Sequence, residues 1–330
     1  MELKLHAFVT NNQKTLILLA KVAVSLLFLI YLFSKLDIGQ ISTLSPVLFV
    51  YWLACVCVVL VFALFVSYRW KLVLSFFNRA AMVKDLYRFY LIASFFNKFL
   101  PGAIGGDVTR IYNSHKKYNL GIKNATIIVF LERMAGLAGL ALLFASGLLF
   151  YFFVNRGESL LFQNEQYLII YFLIILAVLL VFLKKLTEKK IQVGYKVLII
   201  VILLSMLGQS AEVTVAYLYA QYFGLPVELY KFMIIMPVIY IATVIPISLG
   251  GLGVREASMT ALLALFGVET STAVLIAFLI YFTKVGVGVI GWVVYLKSGY
   301  SLPKDGGLVG QGAGEIKDLL KGLWAKNERS

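Results

Sequence analysis

Six apolar runs constrain this chain more than any motif in it: Leu16–Phe33, Val47–Val66, Asn124–Val154, Tyr167–Leu183, Val197–Phe223 and Thr272–Leu296. Each approaches or exceeds the ~20 residues that a helix needs to cross the hydrocarbon of a bilayer. A soluble domain is ~25% charged and cannot hide so many such runs. Here 61% of the 330 residues are apolar and 14% are charged. That balance excludes an ordinary soluble enzyme, a disordered chain, a collagen-like chain and a small disulfide scaffold. The first run is long for a signal-peptide core and no A-x-A site follows it, so it reads as a retained span.

Two further stretches, Leu86–Leu100 and Lys231–Leu249, are apolar but end at a proline or glycine pair and lead into a second short stretch. Charge placement resolves them. Lys and Arg outnumber Asp and Glu 30 to 16, for a net charge of +14. Arg69, Lys71, Arg79, Lys84 and Arg88 lie between Ser67 and Tyr90, and Arg110, Lys116, Lys117 and Lys123 lie between Pro101 and Lys123. Both segments read as cytoplasmic loops under the positive-inside rule. The stretch between them then enters and leaves on one side, as a re-entrant hairpin. Lys184, Lys185, Lys189, Lys190 and Lys196 mark a third cytoplasmic loop, and the remaining connections are poor in positive charge. The stretch from Lys231 becomes a hairpin dipping in from outside. The expected fold is all-α integral membrane: six transmembrane helices plus two re-entrant elements, with both termini cytoplasmic, in an inner membrane.

The two hairpins match each other. PGAIGGDVTR at 101–110 overlays PISLGGLGVR at 246–255, aligning Pro101 with Pro246, Gly105–Gly106 with Gly250–Gly251, and Arg110 with Arg255. The same offset brings the flanking runs near one another. With three spans per half, the second half must be inverted. Residues 1–154 form the first repeat, 155–298 the second, and 299–330 a tail in which Ile316, Leu319, Leu320, Leu323 and Trp324 have the spacing of an interfacial amphipathic helix. Inverted repeats with broken helices are the pattern of secondary transporters, whose substrate site lies between the repeats.

The chemistry expected at the breaks is anion binding. A helix restarting after each glycine pair aims free N–H groups and its positive dipole end at the break. Arg110 and Arg255 stand about one turn further on, and amides plus a guanidinium suit a phosphate. Asp107 is placed to cap its helix or to pair with an Arg. Lys21, Lys98, Glu132, Arg133, Glu212, Glu256 and Lys284 also fall at membrane depth. Each costs ~2.5–3.5 kcal/mol facing lipid, so they should face one another or a cavity. Glu132 and Arg133 are adjacent and need separate partners, and Glu212 suits a nearby Lys. As a set these residues lean basic.

Other patterns carry no chemistry. Gly286–Gly291 spells GxGxxG but lies inside a span with no preceding strand, so close helix packing explains it, as it does Gly136, Gly139 and Gly147. The two cysteines, Cys55 and Cys57, sit in an apolar run. The two histidines, His6 and His115, flank the spans and form no triad or metal site. No metal, no cofactor and no nucleic acid are expected, and no catalytic residue stands out.

NKFLPGAIGGDVTR (97–110), FLERMAGLAGL (130–140) and IPISLGGLGVREA (245–257), in that order, resemble the lysylphosphatidylglycerol synthase transmembrane family, the flippase part of multiple peptide resistance factor. The resemblance spans roughly residues 10–300. It implies a lipid-translocating bundle whose polar motif positions are Asn97, Asp107, Arg110, Arg133, Arg255 and Glu256. Glu132 stands where the family often has Asp. No aminoacyl-transferase region follows the spans, so lipid synthesis is not implied. The expected cargo is a membrane phospholipid or other lipid-phosphate, bound by Asn97, Lys98, Gly105, Gly106, Asp107, Arg110, Glu132, Arg133, Glu212, Gly250, Gly251, Arg255, Glu256 and Lys284. The alternatives are a membrane-embedded transferase acting on a lipid-linked substrate and a non-catalytic partner of a lipid-modifying enzyme. A second copy of the chain, or such an enzyme, are the protein partners considered.

Overall fold

A computed structural model describes residues 45–99, 105–154, 195–244 and 253–298. These residues form eight helices and no strand. They are α1 (Val47–Ser75), α2 (Val83–Phe99), α3 (Gly105–Tyr118), α4 (Ile122–Val154), α5 (Tyr195–Tyr222), α6 (Leu229–Val244), α7 (Val254–Ala264) and α8 (Thr270–Ser298). The order long, short, short, long occurs twice. The expected spans Leu16–Phe33 and Tyr167–Leu183, Lys21, the loop from Lys184, Pro101, Pro246, Gly250, Gly251 and the tail after 298 lie outside the described residues.

Helices α1, α4, α5 and α8 are each long and apolar enough to cross a membrane, and α6 is a shorter apolar helix. Their outward faces carry large apolar side chains: Phe49, Val50, Leu149, Phe153, Leu203, Phe282 and Leu296 are all exposed, Phe153 to 73%. An unbroken apolar exterior on long helices is the surface that lipid, not water, covers. The chain is therefore a multi-pass, all-helical membrane protein. Pro237 sits within α6, where it removes one backbone donor.

Two apolar cores organise the helices. The larger joins Cys55 of α1 and Leu143 of α4 to Tyr219 of α5, Phe232 and Ile239 of α6, Met259 of α7 and Ile276 of α8. The smaller packs Trp70 and Leu74 of α1 against Leu86 and Phe89 of α2 and Ile128 of α4. Helix α5 lies along α1 and α4, and α8 lies along α2.

Glycines set these approaches, as the sequence suggests. A Cβ at Gly291 would collide with the Leu91 carbonyl of α2, and one at Gly139 with the backbone at Ser205 and Met206 of α5. At Gly286 it would lie 2.6 Å from Trp52. Without a soluble hydrophobic drive inside lipid, such close packing supplies much of the helix association. Gly291→Val should lower stability by about 1–3 kcal/mol, as overpacking does. Gly121→Ala, whose Cβ would meet nothing within 4 Å, should not. Thermal melting in detergent compares the two.

Candidate functional site

The breaks are built differently from the simple amide site that the sequence suggests. After the first break, the N–H of Gly106 donates to Asn97 Oδ1 at 2.8 Å. Asn97, near the end of α2, thus caps the start of α3 across the break. A Cβ on Gly106 would sit 2.5 Å from the Asn97 side chain, so the cap requires glycine there. Gly105 opens α3. After the second break, the N–H of Gly253 donates to Glu256 Oε2 at 2.6 Å. Gly253 has a φ of 83°, which glycine adopts without strain. Glu256 is 1% exposed and is spent on its own helix start. The expectation of free amides at the breaks is corrected at Gly106 and Gly253, because a side chain already occupies each. Glu256 caps its own helix.

Behind the first break lies an ionic cluster. Glu132 of α4 is 1% exposed and accepts from Arg69 Nε of α1 at 2.8 Å and from Arg110 of α3 at 2.5 Å. The Arg110 guanidinium stacks over Trp70, 4.1 Å from the ring centroid. Asp107 pairs with Arg133 and approaches Arg110 at 4.0 Å. Glu132 and Arg133 therefore do take separate partners. Asp107 pairs with arginines. Arg110, expected to hold a ligand, is buried between a carboxylate and an indole.

The second cluster joins α5, α6 and α8. Lys284, at the midpoint of α8, forms an ion pair with Glu212 of α5. The Tyr240 hydroxyl donates to Glu212 at 2.7 Å, and Lys284 Nζ lies 5.5 Å over the Tyr240 ring. Lys98 of α2 sits 5.1 Å over the ring of Tyr281. Lys98, Lys284 and Arg255 lie close enough to act on one another electrostatically, with Glu212 and Glu256 in the same range. Among the described residues, neither Lys98 nor Arg255 has a carboxylate within 4.0 Å.

Sequence reasoning missed five contributors. Arg69 reads as a loop cation, but α1 runs on to Ser75 and buries it. Its signal is Leu72 and Val73, apolar residues one turn further along. Gln209 of α5 donates to the Gly136 carbonyl at 3.4 Å, and a Cβ built on Gly136 lies 3.8 Å from Arg69. Glu212 follows Gln209 by one turn on the same face. Tyr90 of α2 feels Arg110, Arg69 and Glu132 from one cluster and Glu212 from the other. Tyr281 carries Lys98. No motif marks Gln209, Tyr90, Tyr240 or Tyr281, since each is an ordinary residue of a membrane helix.

Removing one partner of a buried ion pair leaves the other charge uncompensated, at about 3–5 kcal/mol. Glu132→Ala should cost that much stability and lower the amount of folded protein. Arg133→Ala removes a side chain that is 50% exposed and should cost no more than about 1 kcal/mol. Size-exclusion profiles and melting curves of both variants in detergent check the contrast.

No curated protein and no solved structure matches the chain significantly. The sequence model of one family, described as the lysylphosphatidylglycerol synthase TM region, matches residues 18–291 and so takes in every helix described above except the last residues of α8. The chain belongs to the lysylphosphatidylglycerol synthase transmembrane family.

Proposed function

We propose that this chain is a lipid translocase that moves a phosphate-bearing lipid between leaflets. Family membership supports a lipid-related role in the membrane. The observation that carries the finer reading is the second cluster. Lys284 stands midway along α8, a helix long enough to cross a membrane, where isolated cations are costly, and Lys98 and Arg255 lie within electrostatic range of it on two further helices. Such a cost is borne where charge has work to do, and the chemistry on offer is recognition of an anionic oxygen cluster.

In this reading the phosphate is held by Lys98, Lys284 and Arg255, while Arg110 serves as the brace of the neighbouring cluster because Glu132 and Trp70 already engage it. Arg133, Asp107, Gln209 and Tyr90 then line a polar track from one cluster to the other. The twofold order of long and short helices, together with the aligned Pro, Gly-Gly and Arg positions, supports six spans and two re-entrant elements in two inverted repeats. The excess of Lys and Arg along the stretch from Arg69 to Lys123 supports cytoplasmic termini.

The test is translocation of fluorescent short-chain phosphatidylglycerol in reconstituted vesicles, read by quenching of the outer leaflet. Wild type should equilibrate the lipid faster than empty vesicles. Lys98→Gln and Arg255→Gln each remove a charge-assisted contact worth ~1.5–3 kcal/mol, which is roughly tenfold or more in rate. Both variants should insert normally. Wild-type rates in both variants would refute the assignment of the site, and an inactive wild type would refute the function.

A further inference from the structure

In the translocase reading, on which this inference rests, Lys284 meets two anions in turn. Its ammonium is ion-paired with Glu212, and both side chains are 15% exposed. Tyr240 donates to the same carboxylate at 2.7 Å, and its ring lies under Lys284, 5.5 Å from Nζ to the centroid. Carboxylate, ammonium and phenol thus come from α5, α8 and α6, at a level where α8 is halfway along its length. A phosphate that takes the Lys284 ammonium takes it from Glu212.

Glu212 is then a carboxylate on a membrane helix without its cation, and a buried charge that loses its partner is strongly destabilising. The surrounding groups do not replace Lys284. Tyr240 of α6 gives a hydrogen bond but no charge. Arg255 of α7 and Lys98 of α2 are within electrostatic range, yet both belong to the phosphate in this reading. Tyr90 of α2 is a second phenol in range, and Glu256 of α7 is another carboxylate, bonded to the Gly253 amide. From α1 and α4, Arg69 meets Gln209 beside Gly136, one turn before Glu212, but Arg69 is ion-paired with Glu132. A proton removes the cost: as a neutral acid, Glu212 gains an O–H to donate and still accepts from Tyr240.

We propose that the chain couples lipid movement to protons, with Glu212 taking up one proton when the lipid phosphate engages Lys284 and releasing it when the phosphate leaves and Lys284 returns. The O–H bond on Glu212 is the one bond that forms and breaks. The proton comes from water on the side where the lipid enters and goes to water on the side where it leaves. Lipid and proton therefore cross in the same direction, and a lipid with a single negative charge crosses with no net charge.

Vesicles reconstituted with the full chain test this. They carry fluorescent short-chain phosphatidylglycerol in the membrane and pyranine inside as pH reporter, with the membrane potential clamped by potassium and valinomycin. Wild type should move protons in step with lipid, above the level of empty vesicles. A difference of about one pH unit should hold roughly tenfold more lipid in the leaflet facing the alkaline side, because one proton accompanies each lipid. Glu212→Gln has no carboxylate to protonate and should lose that asymmetry. Tyr240→Phe removes a hydrogen bond to the charged carboxylate, so the pH of half-maximal transport should rise by about one unit. If Glu212→Gln fails to fold, that shift reads the same group. Lipid movement by wild type without proton movement and without a response to the gradient overturns the coupling and leaves the translocase reading standing. A full gradient response in folded Glu212→Gln, or an unmoved pH profile in folded Tyr240→Phe, overturns the assignment to Glu212. Wild type that moves no lipid overturns the translocase reading, and the coupling falls with it.

Discussion

A carboxylate shared between two guanidinium groups ties three of the first four described helices, α1, α3 and α4, together. Helix α3 is the reason. Its buried residues are Gly106, Thr109, Arg110, Asn113 and Ser114, so it has almost no apolar face with which to pack. What fixes it is polar: the Asn97 cap at its start, Arg110 on Glu132, and the Arg133–Asp107 pair. Arg69 ties α1 to the same carboxylate. In a bilayer, where apolar burial between helices gains little over contact with lipid, such pairs and close backbone approaches decide which helices meet. With Glu132 in place, α1, α3 and α4 have one arrangement.

The two charge clusters differ in how their charges are used. In the first, Glu132 and Asp107 each reach two arginines, and Arg110 is further covered by Trp70. Such a cluster is a brace, and opening it to admit a headgroup would leave Glu132 buried with a missing partner. In the second cluster, Lys98 sits over the Tyr281 ring, and neither it nor Arg255 has a carboxylate within 4.0 Å among the described residues. The same residue types thus differ in burial and partner count, and the proposed function takes the less engaged set as the one that meets the ligand. Residues Gln209 and Glu212, one turn apart on α5, place the two sets on one helix face.

Much of this was legible in the sequence. The apolar runs place α1, α4, α5 and α8 to within a few residues, except that α1 continues nine residues past Val66, to Ser75. The continuation is what buries Arg69, and charge counting alone assigns that arginine to a loop. The short helices before and after each break follow from proline and glycine. The need of Glu132 and Arg133 for separate partners follows from helix geometry. What the sequence could not show is which polar groups are already engaged. The reach of Glu256 back to Gly253 has no mark in the sequence. Arg110 and Arg255 look equivalent by repeat position, yet only Arg110 meets a carboxylate, since position 277, which matches Glu132, is Ala277. Aromatic partners such as Tyr240 and Tyr281 carry no signature in a chain with 19 tyrosines.

The claim on which the account turns is that Lys98 and Arg255 meet a lipid phosphate inside the bundle. Native mass spectrometry of lipids retained through purification addresses it directly, comparing wild type with Lys98→Gln/Arg255→Gln. The account predicts one phosphate-bearing lipid class enriched on wild type and absent from the double variant, with both proteins equally folded. The same lipids in the same proportions on both proteins would contradict it.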